Sequence, residues 1–159
     1  MSKRAAAAIA LLVLLGVGAG VVVPRLVPGS PANGPMHIHP WLTITIVGQS
    51  ATAVPANVGI NASLWHDHNL DGYGMTGMAP LHTHDASGMI HVESSVTRDY
   101  TLGEFFRIWG ESFDATQVLG HSATAGHKVW MVVDGTAMDP TSSLVFRDGM
   151  RIQIICGPA

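Results

Sequence analysis

The sequence is poor in fixed charge and in cysteine. Asp, Glu, Lys and Arg make up 12% of the 159 residues. Residues 26 to 159 hold five Lys or Arg and eleven Asp or Glu, a net charge of 5 − 11 = −6 with histidine neutral. A nucleic-acid surface needs a basic footprint, so we expect no nucleic-acid partner. The single cysteine, Cys156, cannot form an internal disulfide, and its strand-like context IQIIC predicts a buried thiol.

Several signatures of catalytic and cofactor sites are also missing. The chain has no H-E-x-x-H, C-x-x-C or G-x-S-x-G motif, and no glycine loop of the phosphate-binding kind. A cupin site would need a glutamate three or four residues after a His-x-His pair, but Glu93 follows His84 by nine. A blue-copper site would need His and Met soon after Cys156, which is followed only by Gly-Pro-Ala. The cupin spacing therefore fits poorly, and a blue-copper site is excluded.

The N-terminus carries the longest apolar run of the chain. Lys3 and Arg4 precede an uncharged stretch from 5 to 23, which is typical of a secretory signal or a signal-anchor. We interpret 1–25 as a signal peptide or membrane anchor and the Pro/Gly-rich 26–36 as a linker. Both alternatives predict that the domain at 37–159 lies on the extracytoplasmic side, anchored to the membrane or secreted.

The remaining patterns predict an α+β fold with a small, mainly antiparallel sheet and one main helix. Apolar residues alternate along 42 to 46, 128 to 133 and 150 to 156, as in strands. Residues 101 to 110 show a capping box and an amphipathic helical period. The order of helix, strand, Asp-Gly turn and final strand resembles the closing half of a β-grasp domain.

Histidine is in excess. The chain has nine histidines against eight Lys plus Arg, and six of them form three His-x-His pairs: His37/His39, His66/His68 and His82/His84. Residues i and i+2 of a strand point to the same side, roughly 6 to 7 Å apart. Each pair can therefore present two imidazoles to one metal ion.

The third pair belongs to the stretch PLHTHDASGMIHVES, residues 80 to 94, which predicts a hairpin. Residues 85 to 88, Asp-Ala-Ser-Gly, have turn chemistry. With a four-residue loop, His82 faces His91 and His84 faces Met89. The predicted apolar face carries Leu81, Thr83, Ile90 and Val92, and the predicted coordinating face carries His82, His84, Met89, His91 and Glu93.

This hairpin predicts a metal site with His82, His84 and His91 as the main ligands. We expect His37 and His39 to contribute from an adjacent strand. Met89 is an optional soft ligand, and thioether sulfur favours copper, with zinc as the alternative.

Asp85 and Glu93 are expected to orient imidazole N–H groups from outside the ligand set. His66 and His68 are further candidate ligands, in a long loop from 61 to 80 that lacks a clear period.

The same loop contains the first half of a calcium-binding pattern. Asp67, Asn69 and Asp71 match D-x-N-x-D-G, but the twelfth position is Met78 where a bidentate glutamate is needed. The pattern favours a loop built from Asx turns over a calcium site.

Three blocks together, HIHPWLTI, LHTHDASGMIHVES and YTLGEFFRIWG, resemble a family of uncharacterised exported bacterial and archaeal proteins. The blocks cover about a third of the chain. The resemblance implies a common organisation and attaches no activity.

The sequence therefore predicts an extracytoplasmic metal-binding protein, copper before zinc, that captures, stores or delivers the ion, with a partner metalloprotein as a possible recipient. One alternative is a zinc or iron metalloenzyme with three histidine ligands, Glu93 as general base and the 61 to 80 loop as a lid. The other is a metal-free interaction or pH-sensing module. Whether the protein is an enzyme stays open at this point.

Overall fold

The computed structural model describes residues 34–49, 53–124 and 126–159. The predicted anchor at 1–25 and most of the linker at 26–36 lie outside these ranges. Within them, no helix combines the length and the apolar character needed to cross a membrane.

The described chain forms one α-helix, two short 3-10 turns and ten short strands. The helix α1 is Leu102–Trp109, and the 3-10 turns are Ala62–Leu64 and Asp71–Tyr73. The strands are β1 Met36–Ile38, β2 Trp41–Ile46, β3 Leu81–His82, β4 His91–Ser94, β5 Phe113–Asp114, β6 Gln117–Val118, β7 His121–Ser122, β8 His127–Val133, β9 Thr136–Met138 and β10 Arg151–Pro158.

The largest sheet has four strands in the order β2-β10-β8-β9. Strand β10 runs parallel to β2 and antiparallel to β8. Alternate residues of β2 and β10 are buried, as the two-residue period requires, and Cys156 is among them at 4% exposure. The sheet therefore buries one face, and the prediction of a buried thiol is confirmed.

A second sheet, in the order β1-β4-β3, is antiparallel and carries His37, His82 and His91. Leu81 pairs with Val92, and His82 pairs with His91. The predicted register of the hairpin is therefore confirmed at these positions. Strand β1 pairs with the other edge of β4, where His37 lies opposite Glu93.

Helix α1 packs against this sheet and has the ends that the sequence predicts. Thr101 and Glu104 form a reciprocal capping box, and Gly110 ends the helix in the left-handed conformation at φ 84°. Phe105, Phe106 and Trp109 are buried. Helix α1 contacts β3, so its buried aromatic side chains belong to the part of the core next to the β3–β4 hairpin.

The structure differs from the prediction in how the strands are divided and where the hairpin ends. The described strands form three sheets, the third being β5-β6-β7. The β3–β4 ladder stops at His82 and His91, so His84 does not pair with Met89. Met89 forms a bridge with Trp41, and the Gly88 carbonyl accepts from the Leu42 N–H at 2.8 Å. The segment around Met89 thus lies against the start of β2, and the loop between β3 and β4 is longer than the four residues predicted.

The domain is therefore α+β, with small and mostly antiparallel sheets and one helix.

Candidate metal centre

One face of the β1-β4-β3 sheet collects histidines in register. His91 of β4 lies opposite His82 of β3. On the other edge, His37 lies opposite Glu93, and the Trp41–Met89 bridge continues the same register. That register places His39 opposite His91, two residues beyond the pair of His37 and Glu93. A row across the sheet therefore runs from His39 through His91 to His82.

The imidazoles of this row and its neighbours form one contiguous cluster centred on His91. Ring centroids lie 4.8 Å from His91 for His39, 4.5 Å for His84, 5.4 Å for His82 and 6.2 Å for His37. Within the pairs the separations are 4.5 Å for His37 and His39 and 4.8 Å for His82 and His84. The structure thus brings together five of the predicted ligands.

The potential ligand atoms form two overlapping groups. His82, His84, His91 and Glu93 are the first, and His37, His39 and His91 are the second. Within each group one ligand atom per residue lies within 4.8 Å of the others, and His91 belongs to both. Two ligands of one ion, each at about 2 Å from it, lie within about 4 Å of each other. A small inward shift of these side chains would therefore let the cluster hold a metal ion.

His82 is the most constrained of the five. Its side chain is fully buried, and its Nδ1–H donates to the Ala79 carbonyl oxygen at 2.9 Å. A carbonyl oxygen can only accept a hydrogen bond, so the ring hydrogen is on Nδ1 and Nε2 carries a lone pair. Nε2 is buried and has no hydrogen-bond partner in the described structure. Burial lowers the pKa of His82 to about 4, which keeps the ring neutral near pH 7.

His91 is also short of partners. Among the described residues, its buried Nδ1 has no hydrogen-bond partner, and Glu93 Oε1 lies 3.6 Å away. That distance is too long for a hydrogen bond. Burial lowers the pKa of His91 and neighbouring His84 and His39 lower it further, while Glu93 opposes them. A neutral His91 can therefore offer a nitrogen to a cation.

Glu93 contacts an imidazole, as the sequence predicted, and also lies among the potential ligand atoms. Its Oε1 lies 2.9 Å from His37 Nε2, and its carboxylate belongs to the same ligand group as His82 and His84. A second imidazole, that of His82, is held by the Ala79 carbonyl. Because this partner is a backbone oxygen, no residue type in the sequence predicts the contact.

The structure places Asp85 in the hairpin loop, where its side chain bonds to Ser87. Its Oδ1 accepts from the Ser87 N–H at 2.9 Å, and its side chain is exposed. The hydrogen bonds from Ser87 lower the pKa of Asp85. The residue forms an Asx turn in the hairpin loop, because its short side chain reaches the backbone two residues ahead.

Asp148 supports the site and was missed by the sequence prediction. Its Oδ1 accepts from the His39 N–H at 2.9 Å and lies 3.8 Å from His39 Nδ1. The Gly149 N–H donates to the His39 carbonyl at 3.2 Å, so the Asp-Gly turn before β10 holds the His39 backbone from both sides. Local patterns do not reveal this contact, because the two residues are 109 positions apart in the sequence.

Met89 shares a face of its extended segment with His91. It precedes His91 by two residues in an extended segment, so alternation directs the two side chains to the same side. It is half-buried and is not among the side chains that pack on the hydrophobic core. It keeps its place as a candidate soft ligand.

His66 and His68 lie in a different part of the domain. His66 Nε2 lies 3.0 Å from the Ser63 carbonyl oxygen, and His68 Nδ1 lies 2.9 Å from Asp71 Oδ2. Among the described residues, neither belongs to a group of three potential metal ligands. The structure therefore does not bring the second His-x-His pair to the cluster.

The calcium-like segment consists of a turn and an ion pair. Asp67 Oδ1 accepts from the Asn69 N–H at 2.9 Å, and Asp67 Oδ2 accepts from Arg107 Nε at 3.1 Å. These contacts are those of an Asx-turn loop tied to α1.

A cavity of about 490 Å³ adjoins the cluster on the His37 side. Its lining includes Met36, His37, Met75, Glu93 and Ser94. The cluster is thus reachable from outside, with His37 and Glu93 at the junction.

Comparison with family models, with curated proteins and with solved structures gives no match to this chain.

Proposed function

We propose that the protein binds a transition-metal ion, copper before zinc, through His82, His84, His91 and Glu93. The observation that carries this proposal is the buried Nε2 of His82, which has no hydrogen-bond partner among the described residues. Leaving a buried polar atom unpaired costs about 1–3 kcal/mol. A metal ion bonded to this nitrogen would recover that cost, and Ala79 already holds the ring in the tautomer that a ligand needs.

The donor set supports copper or zinc. Neutral imidazole nitrogen is a good ligand for both, and a single carboxylate is compatible with both. The thioether of Met89 adds a soft donor beside His91, which supports copper and Cu(I) in particular.

The proposed role is capture, storage or delivery on the extracytoplasmic side. His37 has 57% of its side chain exposed, whereas His82 has none, so the cluster runs from the surface inwards. This gradient suits an ion that must be exchanged with a partner metalloprotein. The apolar run at 5 to 23 supports export, and membership of the exported family remains part of the proposal.

We also propose that the α+β fold is β-grasp-like. Helix α1 lies in sequence between β2 and the β8–β9 hairpin, and β10 joins the two by pairing parallel with β2 and antiparallel with β8. The histidine sheet occupies the segment before the helix, as an insertion would.

Equilibrium dialysis followed by metal analysis tests the function. The full-length protein, purified without a histidine tag, is expected to retain copper and zinc. The variant His82→Ala/His91→Ala should lose most of both, and the exposed His84→Ala should weaken binding without affecting the fold. The matched control His68→Ala/His127→Ala removes two exposed histidines outside the cluster and should bind like wild type. Equal binding by the two double variants would refute the site, and no binding by wild type would favour the metal-free module.

A metalloenzyme is the second candidate, and the cavity beside His37 and Glu93 favours it. An ion on the cluster would border a space of about 490 Å³, where Glu93 would serve as a base. Zinc-loaded protein should then hydrolyse model esters or phosphodiesters, and Glu93→Gln should lose turnover while it keeps most of the metal. If the fully loaded protein shows no turnover, the metalloenzyme candidate fails and metal binding stands as the proposed function.

A further inference from the structure

We propose that the cluster holds two ions, with His91 and Glu93 shared between them. The proposal rests on the proposed metal-binding function and extends it from one ion to a dinuclear centre. The ligands of the second ion are His37 and His39, and the ions are divalent and of the kind that prefer imidazole, zinc or Cu(II).

The arrangement of the imidazoles is the first support. The two His-x-His pairs lie on opposite sides of β4, His37/His39 on β1 and its extension and His82/His84 on β3 and its extension. His91 lies between them and belongs to both groups of potential ligand atoms. Five imidazoles around one ion would exceed the four ligands that zinc takes in most protein sites. Two terminal imidazoles on each side fit two ions.

The position of Glu93 is the second support. Its Oε1 lies 2.9 Å from Nε2 of His37, which belongs to the group of His37, His39 and His91. Its carboxylate belongs to the other group, with His82, His84 and His91. A carboxylate has two oxygens and can bind one ion with each. Glu93 therefore occupies the place of a bridging ligand.

His91 can contribute to both ions because an imidazole has two nitrogens. Its Nδ1 is buried and has no hydrogen-bond partner in the described structure, so no existing bond opposes coordination there. Bridging through both nitrogens would require the ring to lose its N–H proton to solvent as the second ion binds. Without that loss, Glu93 alone bridges and His91 binds one ion.

The surrounding charges favour a second cation. Two divalent ions repel each other, and anionic groups nearby reduce that repulsion. Glu93 lies between the two groups, and Asp148 Oδ1 lies 3.8 Å from Nδ1 of His39. The half of the cluster that contains His39 thus has its own carboxylate in addition to the shared one.

Native mass spectrometry of the full-length protein titrated with Zn(II) tests the stoichiometry. Wild type is expected to bind two ions per chain. His39→Ala and His84→Ala, which each remove a terminal ligand from one half, should bind one ion tightly, while the control His68→Ala should bind two. One ion per chain in wild type would overturn the dinuclear centre and leave the proposed function standing. No bound ion would overturn both.

Electron paramagnetic resonance of the Cu(II)-loaded protein tests the proximity of the two ions. The expected result is a half-field transition or strong loss of the mononuclear signal, because two coupled Cu(II) ions share the bridging ligands. Two ions with the full intensity of isolated Cu(II) would place the second ion elsewhere and contradict the inference, even if the stoichiometry were two.

Discussion

His82 combines burial, a defined tautomer and a bare nitrogen in one side chain. Ala79 accepts its Nδ1–H, and Nε2 has no hydrogen-bond partner in the described structure. Buried polar atoms are usually paired, so such an atom calls for a functional explanation. The neutral state that burial enforces is also the state in which an imidazole binds metal.

The low pKa of His82 predicts a pH-dependent stability of the metal-free protein. The folded value is about 4 and the usual value is 6.5, so the unfolded chain binds a proton in that interval that the folded chain does not. The free energy of unfolding is therefore highest above pH 6.5. It falls by up to roughly 3 kcal/mol as the pH drops towards 4. His91 acts with the same sign, since its pKa is also lowered.

Urea unfolding in excess chelator at pH 7.5 and pH 4.5 measures this effect. His82→Asn keeps a donor near the Ala79 carbonyl and does not titrate, so it should lose less stability than wild type over this interval. The control His127→Asn, at an exposed position, should behave like wild type. The same loss in His82→Asn and wild type would show that His82 is not the source.

The proposed preference for copper rests on the thioether of Met89, so replacing Met89 should have a metal-selective effect. Met89→Leu keeps the size and removes the sulfur, so Cu(I) affinity should fall about tenfold while zinc affinity stays within about twofold. Competition titrations against a Cu(I) chelator and a zinc chelator measure both. Met138→Leu, at an exposed position in β9, is the control. An unchanged Cu(I) affinity in Met89→Leu would remove the thioether from the ligand set.

At the scale of elements, the site depends on how the loop after β3 returns to β4. Gly88 has a φ of 87° and lies so close to Leu42 that a Cβ would overlap the Leu42 carbonyl oxygen. Only glycine suits both conditions. This contact brings the segment before β4 to the start of β2, and with it the loop that carries His84.

Gly88→Ala should therefore destabilise the domain and weaken the site. We expect a loss of roughly 2–4 kcal/mol in the free energy of unfolding, because strain at positive φ adds to the overlap with backbone. Gly120→Ala is the matched control, since Gly120 has a φ of 76° and open space around its Cα, and should cost about 1 kcal/mol. Chemical unfolding in chelator measures both. Similar losses in the two variants would show that the contact with Leu42 contributes nothing.

At the scale of the whole molecule, local patterns predicted the parts of the fold that are local in sequence. The turn residues between His82 and His91 and the alternation around them gave the register of the hairpin, and Thr101 and Glu104 marked the start of the helix. The parallel pairing of β2 with β10 joins Leu42 to Ile152, and no local pattern encodes such a distant partner.

The same limit applies to the candidate site. The expectation that His37 and His39 lie beside the hairpin agrees with the pairing of β1 with β4. The contacts that hold them, Asp148 at His39 and Glu93 at His37, depend on tertiary packing. His66 and His68 carry the same His-x-His spacing as the cluster, and only the tertiary structure separates them from it.

An anomalous difference map from crystals grown with copper or zinc tests the central proposal most directly. The proposal predicts a peak bonded to His82 Nε2 at about 2.0–2.1 Å and shared with His91. A map with no peak at His82, or with peaks only at exposed histidines such as His66 and His68, would contradict it.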